Sequence, residues 1–380
     1  MIRSDAHYDV LVVGTGIAGS GIARMLAENG LSVAVLERAP EAAAGASGNP
    51  RALAQPYPTD NGTDPYPVLL AAGWEAFLRR VSRYNDDVFE RTGVVLLPNT
   101  VRLKKLRQDG FAVDELALLA TADELSERAK MPIGEDGWFL PTSGIIHPRN
   151  LIAAELAGIP CFYGEEVREV MQDGDIVRVV TQHSTYTAGY VVLASAHEVG
   201  SLPMASFLPV EPVHGEIIVG RCQQSPRIPV CGKGFLLPLS PTECMVGARY
   251  RHGFPLEPDP DGLIQMARGL GLTITEPLLV RQSYRCSTHD KCPYAGELLD
   301  FDDLMAQKET REFKRQGKAE PRFWDRIIVS VGYGSRGLLL CSLTAEILTE
   351  KLVHHREHPL ALLTSLHRLT HRLLHRQNTE

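Results

Sequence analysis

VLVVGTGIAGSGIARMLAENGLSVAVLE, residues 10–37, decides the fold. Val10–Val13 is a short apolar run of the kind that forms a buried strand, and Gly14, Gly16 and Gly19 follow it as GxGxxG at the opening of a helix. In that pattern the first glycine permits a tight turn, the second lets backbone approach a pyrophosphate, and the third lets helix and sheet pack closely. The helix N-terminus suits an anion because its first N–H groups have no partner within the helix. A second strand, Ser32–Leu36, runs to Glu37, whose carboxylate is placed to accept the hydroxyls of an adenosine ribose. Glycine-rich turns also close strands that bind nothing. It is the register of strand, helix, second strand and terminal acid that points to a dinucleotide, with Gly14, Gly16, Ile17, Ala18, Gly19, Glu37 and the adjoining Arg38 as candidate binding residues.

The acid favours a cofactor with a free 2'-hydroxyl, FAD or NAD, over a 2'-phosphorylated one. The motif begins near residue 10 and no second GxGxxG unit follows, as expected for one tightly held FAD; NAD stays open on the motif alone.

At 380 residues the chain has length for a large core and for two interleaved domains. Its 44 % hydrophobic content and formal charge of −7 fit a soluble globular protein and argue against a cationic surface overall. Met1–Asp9 lacks the apolar region of a signal peptide and no apolar run approaches membrane-spanning length, so a cytoplasmic location and no membrane partner are expected. The 7 cysteines are scattered and odd in number, which is no disulfide scaffold. Cys286 and Cys292 have no companion pair, so buried thiols are expected rather than a metal.

Downstream, GASGNP, within Ala42–Pro50, supplies small residues that could let backbone pass close to a ribityl chain or pyrophosphate. Gly45, Ala46, Ser47, Gly48 and Asn49 are candidates there, against the plainer alternative of a polar loop; Arg51 and Gln55 have polar reach. Pro67–Tyr84 is predicted as an amphipathic helix burying Leu69, Leu70, Trp74, Phe77 and Leu78, with Arg79, Arg80 and Arg83 near its end. A second basic cluster is Arg102, Lys104, Lys105 and Arg107. Both suit either a polyanion or a solvated surface. GWFLPTSGIIHPRN, residues 137–150, is read as a crossover leading to a helix near Asn150, with His147 more readily structural than catalytic.

Strands are predicted over Val167–Met171, Ile176–Thr181 and Thr185–Ala194, the last returning beneath the dinucleotide at Ala194. GEIIVG, GFLLPLS and ECMVGARY, within Val213–Arg249, are predicted strands of a mixed sheet capping the substrate. Ser283–Glu297, SYRCSTHDKCPYAGE, is the densest polar segment. Arg285 there could clamp a carboxylate through two parallel N–H groups, or pair internally with Asp290. Strand Arg326–Val331 then turns through GYGSRG, residues 332–337, into the apolar helix Leu338–Leu348. Gly334, Ser335, Arg336, Gly337 and Leu338 could direct backbone N–H groups and a positive helix end at flavin N1 and O2.

With these residues in view the chain resembles the D-amino-acid oxidase and glycine oxidase superfamily of FAD proteins. More closely it is similar to the C-terminal oxidoreductase domain of the MnmC family, bifunctional enzymes that finish 5-methylaminomethyl modification of the tRNA wobble uridine. GASGN with RALAQPYP resembles that family's GASGN…GALYP, residues 284–296 resemble its VRCATRDxLPxxG, and GYGSRG resembles its GxxSRG; the segment at Gly137-Trp138 and Ile146-His147-Pro148 matches in part. The resemblance implies an α/β fold with a Rossmann-like FAD-binding domain and an interleaved antiparallel or mixed-sheet substrate domain. Segments 1–85, 141–205 and 284–358 are expected in the first, 86–140 and 206–283 in the second, and 359–380 as a basic amphipathic C-terminal helix.

It also implies noncovalent FAD, reduced by the secondary amine of 5-carboxymethylaminomethyl-(2-thio)uridine in tRNA, with 5-aminomethyl-(2-thio)uridine and glyoxylate as products and oxygen reoxidising the flavin. Arg285 or Arg336 would anchor the substrate carboxylate, with Tyr333 and His289 the further catalytic candidates. Two departures stand out: the family's arginine before the aspartate is His289 here, and Lys291 follows Asp290. The methyltransferase part is expected on a separate polypeptide, unless the 5-aminomethyl product is the end point. Arg368, Arg372 and Arg376, spaced by four in a leucine-rich tail, could meet tRNA phosphates or form the solvated edge of a packed helix. Two other functions remain open, a small-molecule amine oxidase of the glycine or sarcosine type and a non-catalytic flavin-containing tRNA-binding or assembly module.

Overall fold

The strand His7–Val13 lies inside a parallel sheet, and its residues from Val10 onward are buried on both faces. Alternation sorts them: Leu11 and Val13 enter one apolar cluster, while Val10 and Val12 enter another with Ile22, Ala23 and Leu26 of the helix Ile17–Glu28. Each such buried aliphatic contributes about 1.5–3 kcal/mol relative to exposure. A computed structural model describes residues 7–56, 65–97, 116–252, 257–316 and 319–375. It divides into two units, Met1–Ala44 with Ile152–Glu211 and Cys286–Glu380, and Gly45–Leu151 with Pro212–Arg285.

In the first unit the parallel order is Phe323–Val331, Thr185–Leu193, His7–Val13, Val33–Glu37 and Cys161–Tyr163. Tyr294–Leu299 adds antiparallel to Phe323–Val331, and the hairpin Val167–Asp173 with Ile176–Thr181 adds to the first half of Thr185–Leu193. Gly14 N–H donates to Leu36 O at 2.8 Å and Ala194 N–H to Val13 O at 2.9 Å. Three neighbouring strands therefore end level at the glycine turn. The helix Gly337–Leu352 is buried along most of its length, and its Ala345, Leu348 and Leu352 join the cluster of the first helix.

The second unit is built on an eight-stranded mixed sheet, from Ile274–Thr288 and Val210–Cys222 through Glu243–His252, Phe235–Ser240, Val230–Cys231, Val94–Leu96 and Gly137–Leu140 to Leu118–Ala120. Helices Ala122–Ala129 and Pro260–Gly269 share a core with it through Leu125, Ile218, Val246, Leu263 and Ala267. A small sheet, Ala52–Ala54, Gly144–Ile146 and Phe89–Glu90, lies beside the helix Pro65–Val81, where Phe77 stacks on Trp74 and meets Phe89 edge-on.

Several elements depart from the sequence reading. Residues 45–85 and 141–151 fall in the second unit, whereas the family resemblance implied that they belong with the dinucleotide domain. The deciding contacts are those of Leu53 and Ile145 with Ile217, Val219 and Leu237, which no local pattern encodes. Ser283–Thr288, the start of the densest polar segment, is the end of a 15-residue strand, with Cys286 and Thr288 buried. The tail is two helices, Ala361–Thr364 and His367–His375, parted at Ser365 in an extended conformation. Leu366 and Leu369 are buried, but Leu362 is 72 % exposed. Arg80 is buried rather than solvated. The cluster Arg102, Lys104, Lys105 and Arg107 lies outside the described residues, as does Arg376.

Candidate active site

Gly14 has φ 107, and a Cβ there would lie 2.7 Å from Ala194 O; one on Gly19 would lie 1.9 Å from Gly14 O. Backbone has taken the space that side chains would need. Gly16 caps the first helix in an extended conformation and, having no side chain, leaves the N–H groups of the opening turn uncapped by its own residue. At the end of the second strand Glu37 Oε2 accepts from Thr15 N–H at 2.9 Å and Thr15 Oγ1 at 2.5 Å, and Oε1 accepts from Ala39 N–H at 2.9 Å. A carboxylate accepts about four hydrogen bonds. Three internal donors therefore orient Glu37 and leave capacity for a ribose hydroxyl. This cradle fits the adenosine and pyrophosphate half of FAD. Arg38, expected to touch the cofactor, is instead bound to Glu198 through two 2.7 Å hydrogen bonds.

At the second glycine-rich junction Gly334–Arg336 makes one tight helical turn before Gly337–Leu352, again with no side-chain cap. Ser335 is exposed, and Arg336, Gly337 and Leu338 are half-buried. Tyr333 is half-buried as a residue, but its hydroxyl is enclosed: it lies 2.5 Å from Ser330 Oγ and 2.7 Å from Thr344 Oγ1, and burial raises its pKa far beyond the ordinary range for a phenol. That hydroxyl ties the strand Phe323–Val331 to the helix Gly337–Leu352. His289 is exposed in the turn after Thr288.

In the second unit Gly45–Asn49 is gripped by arginines. Arg281 Nη2 donates to Gly45 O at 2.7 Å and Nη1 to Asn49 Oδ1 at 2.8 Å, while Arg149 Nε approaches Gly48 O at 3.4 Å. Ala46–Gly48 forms a short helical turn between them. Burial, and then the charge of Arg149, lowers the pKa of Arg281, a strain that an anion nearby would relieve. Arg281, Ser283 and Arg285 alternate onto one face of their strand. There the Arg285 guanidinium lies 4.4 Å from the centroid of the half-exposed Tyr250 ring.

Gln282 and Tyr284 face the other way, toward the buried Glu216 and His214. Sequence reasoning named Arg285 and passed over Arg281 and Arg149; the period-2 spacing of Arg281 and Arg285 was the available signal. His147 Nε2 lies 2.6 Å from Glu90 Oε1, beside Arg51, in an open polar cleft of ≈ 610 Å³.

Asp290 pairs with Arg368 at 3.1 Å and Arg372 at 3.2 Å, and not with Arg285, the internal alternative that the sequence left open. Arg368 also donates to Pro293 O, Cys292 O, Leu363 O and Ser365 O and lies 3.9 Å over the ring of Tyr294. Its guanidinium is committed inside the first unit and does not present a phosphate contact. Arg372 is half-exposed.

Among the described residues no helix is long and apolar enough to cross a membrane. The chain is 26 % identical over 376 residues to the tRNA 5-methylaminomethyl-2-thiouridine biosynthesis bifunctional protein MnmC of Paraburkholderia xenovorans, covering 90 % of this chain and 56 % of that protein. It is 29 % identical over 372 residues to the MnmC of Pseudomonas entomophila, with the same coverage. The chain thus spans about half the length of these curated relatives. Its fold is similar to that of glycine oxidase from Geobacillus kaustophilus, with a TM-score of 0.74 and 22 % identity over 95 % of this chain and 99 % of that one. The model of the FAD-dependent oxidoreductase family termed DAO matches residues 9–351, so the chain belongs to that family and FAD is its cofactor.

Proposed function

We propose that this chain oxidises a secondary amine that carries a carboxylate, and that the substrate is 5-carboxymethylaminomethyl-(2-thio)uridine at the wobble position of tRNA. The products are 5-aminomethyl-(2-thio)uridine and glyoxylate. The observation that carries the reading is Arg285, held over Tyr250 on the strand face it shares with Arg281. A planar guanidinium presents two parallel N–H donors to a carboxylate, and the aromatic ring beneath fixes its plane. The similarity to MnmC along 90 % of the chain supports a tRNA substrate over a free amino acid.

Gly14, Gly16 and Glu37 would hold the dinucleotide end of FAD. When bound, FAD supplies the two-electron acceptor for the hydride lost from the carbon between the amine and the carboxylate. The amine must be neutral for its lone pair to form the C=N bond, and one water then divides that bond between aminomethyl product and glyoxylate. No strong base is required of the protein. Arg285 holds the substrate carboxylate and thereby the carbon beside it. Arg336 is the alternative anchor. A methyltransferase would then consume the aminomethyl product.

Mass spectrometry of wobble nucleosides after incubating carboxymethylaminomethyl-modified tRNA with the protein tests this directly. Conversion that is lost in an Arg285→Ala protein retaining FAD supports it, and no conversion by the intact protein overturns it. The second reading is an oxidase of small amines such as glycine or sarcosine. The match of its fold to nearly all of a glycine oxidase favours that reading. Peroxide release from free amino acids, with tRNA unchanged, would establish it.

A further inference from the structure

The turn at residues 289–293 is held from two sides within the first unit. On one side Ser287 bridges to Tyr333, and a Cβ on Gly332 would come within 2.5 Å of Thr288 Cγ2 and 3.7 Å of Pro293 Cα. The backbone that leads into the Gly334–Arg336 turn therefore rests directly on residues 287–293. On the other side Arg368, from the helix His367–His375, takes Asp290 Oδ2, Cys292 O and Pro293 O, with Tyr294 under its plane. Inside the turn Thr288 Oγ1 donates to Cys292 O at 2.8 Å and Cys292 N–H donates to Asp290 Oδ1 at 3.2 Å.

One guanidinium thus fixes both ends of a five-residue turn, and that turn supports the start of the second glycine-rich junction. We propose that Arg368 and Asp290 are positioning residues for the Gly334–Gly337 junction and so for the FAD bound beside it. They act through the 287–293 turn and touch no reacting atom. The His367–His375 helix is on this account part of the support of the cofactor site rather than a surface appended for tRNA. The inference rests on the FAD-dependent family and is independent of which amine is oxidised.

The geometry explains why an arginine is needed. A lysine would keep the charge opposite Asp290 but could not span Asp290, Cys292 O and Pro293 O with one rigid fork. The test compares Arg368→Ala, Arg368→Lys and Asp290→Asn with Leu373→Ala, which loosens the packing of the same helix while leaving the polar clamp in place. Each apoprotein is titrated with FAD, its loaded form is scanned for the flavin absorbance bands, and its thermal midpoint is recorded.

We expect Arg368→Ala and Asp290→Asn to weaken FAD binding about tenfold and to shift the flavin bands, with Arg368→Lys between them and wild type. Leu373→Ala should lower the thermal midpoint while leaving FAD affinity within about twofold of wild type. The proposal is overturned if all four variants trade thermal midpoint against FAD affinity on one line. It is equally overturned if Asp290→Asn, nearly isosteric and expected to fold even where Arg368→Ala does not, leaves affinity and spectrum unchanged.

Discussion

Thr15 and Glu37 are joined twice, the backbone N–H and the hydroxyl of Thr15 both donating to Glu37 Oε2. The glycine turn and the end of the second strand are thereby locked to one carboxylate. In Glu37→Gln, an amide NH₂ must face either Thr15 or the donating N–H of Ala39. Hydrogen bonds to charged groups contribute about 1.5–3 kcal/mol each, so FAD affinity should fall by about 10- to 100-fold, read by titrating the apoprotein. Thr15→Val, which removes only the hydroxyl, should cost less.

Gly14→Ala should be damaging and Gly45→Ala nearly silent. The first combines φ 107 with a 2.7 Å approach to Ala194 O, while a Cβ on Gly45 meets nothing within 4 Å. Strain of this kind costs about 1–3 kcal/mol, so Gly14→Ala should lower both thermal midpoint and FAD content. Gly45→Ala should stay within about 0.5 kcal/mol of wild type in denaturant titrations.

Asp290 links pH to stability. Burial works to raise its pKa, but the charge and hydrogen bond of Arg368 outweigh it and hold the carboxyl below its ordinary 3.8. A group whose pKa is lower in the folded state stabilises the fold above its unfolded pKa, and the contribution is lost as pH falls through the folded value. The excess thermal stability of wild type over Asp290→Asn should therefore be full near neutral pH and shrink below about pH 4. A difference that stayed constant down to pH 3 would contradict this origin.

Arg38 and Glu198 tie the loop after the second strand to the loop after Thr185–Leu193, beside the glycine turn. The pair is largely exposed, and such pairs contribute about 0.2–1 kcal/mol. Glu198→Gln should accordingly speed FAD dissociation by only about two- to fivefold, and 1 M salt should bring wild type close to the variant.

For the proposed activity Arg285→Lys keeps the charge and loses the fork. We expect kcat/KM to drop by about 10- to 100-fold, with amine substrates lacking the carboxylate nearly unaffected. Equal losses for both kinds of substrate would remove Arg285 from carboxylate recognition.

The dinucleotide half was legible because strand, glycine turn, helix and terminal acid are contiguous; the observed His7–Val13, Ile17–Glu28 and Val33–Glu37 follow the sequence pattern within a few residues. Arg281 was not legible because its partners, Gly45 and Asn49, are more than 230 residues away and only the tertiary fold makes them neighbours. The surroundings of Tyr333 were illegible for a related reason: a tyrosine in a glycine-rich turn suggests a site, but nothing local says that Ser330 and Thr344 will enclose its hydroxyl. Spacing put Arg368 and Arg372 on one helical edge. It could not show that Asp290 would meet them there.

That meeting has a thermodynamic consequence for nucleic-acid binding. A cation already neutralised within the protein displaces no ions from RNA, whereas each phosphate neutralised by a fresh cation steepens the dependence of log K on log salt by about 0.7 for a single strand. With Arg368 committed to Asp290 and the backbone of the 292–293 turn, the tail's arginine count overstates the ionic footprint it can place on tRNA.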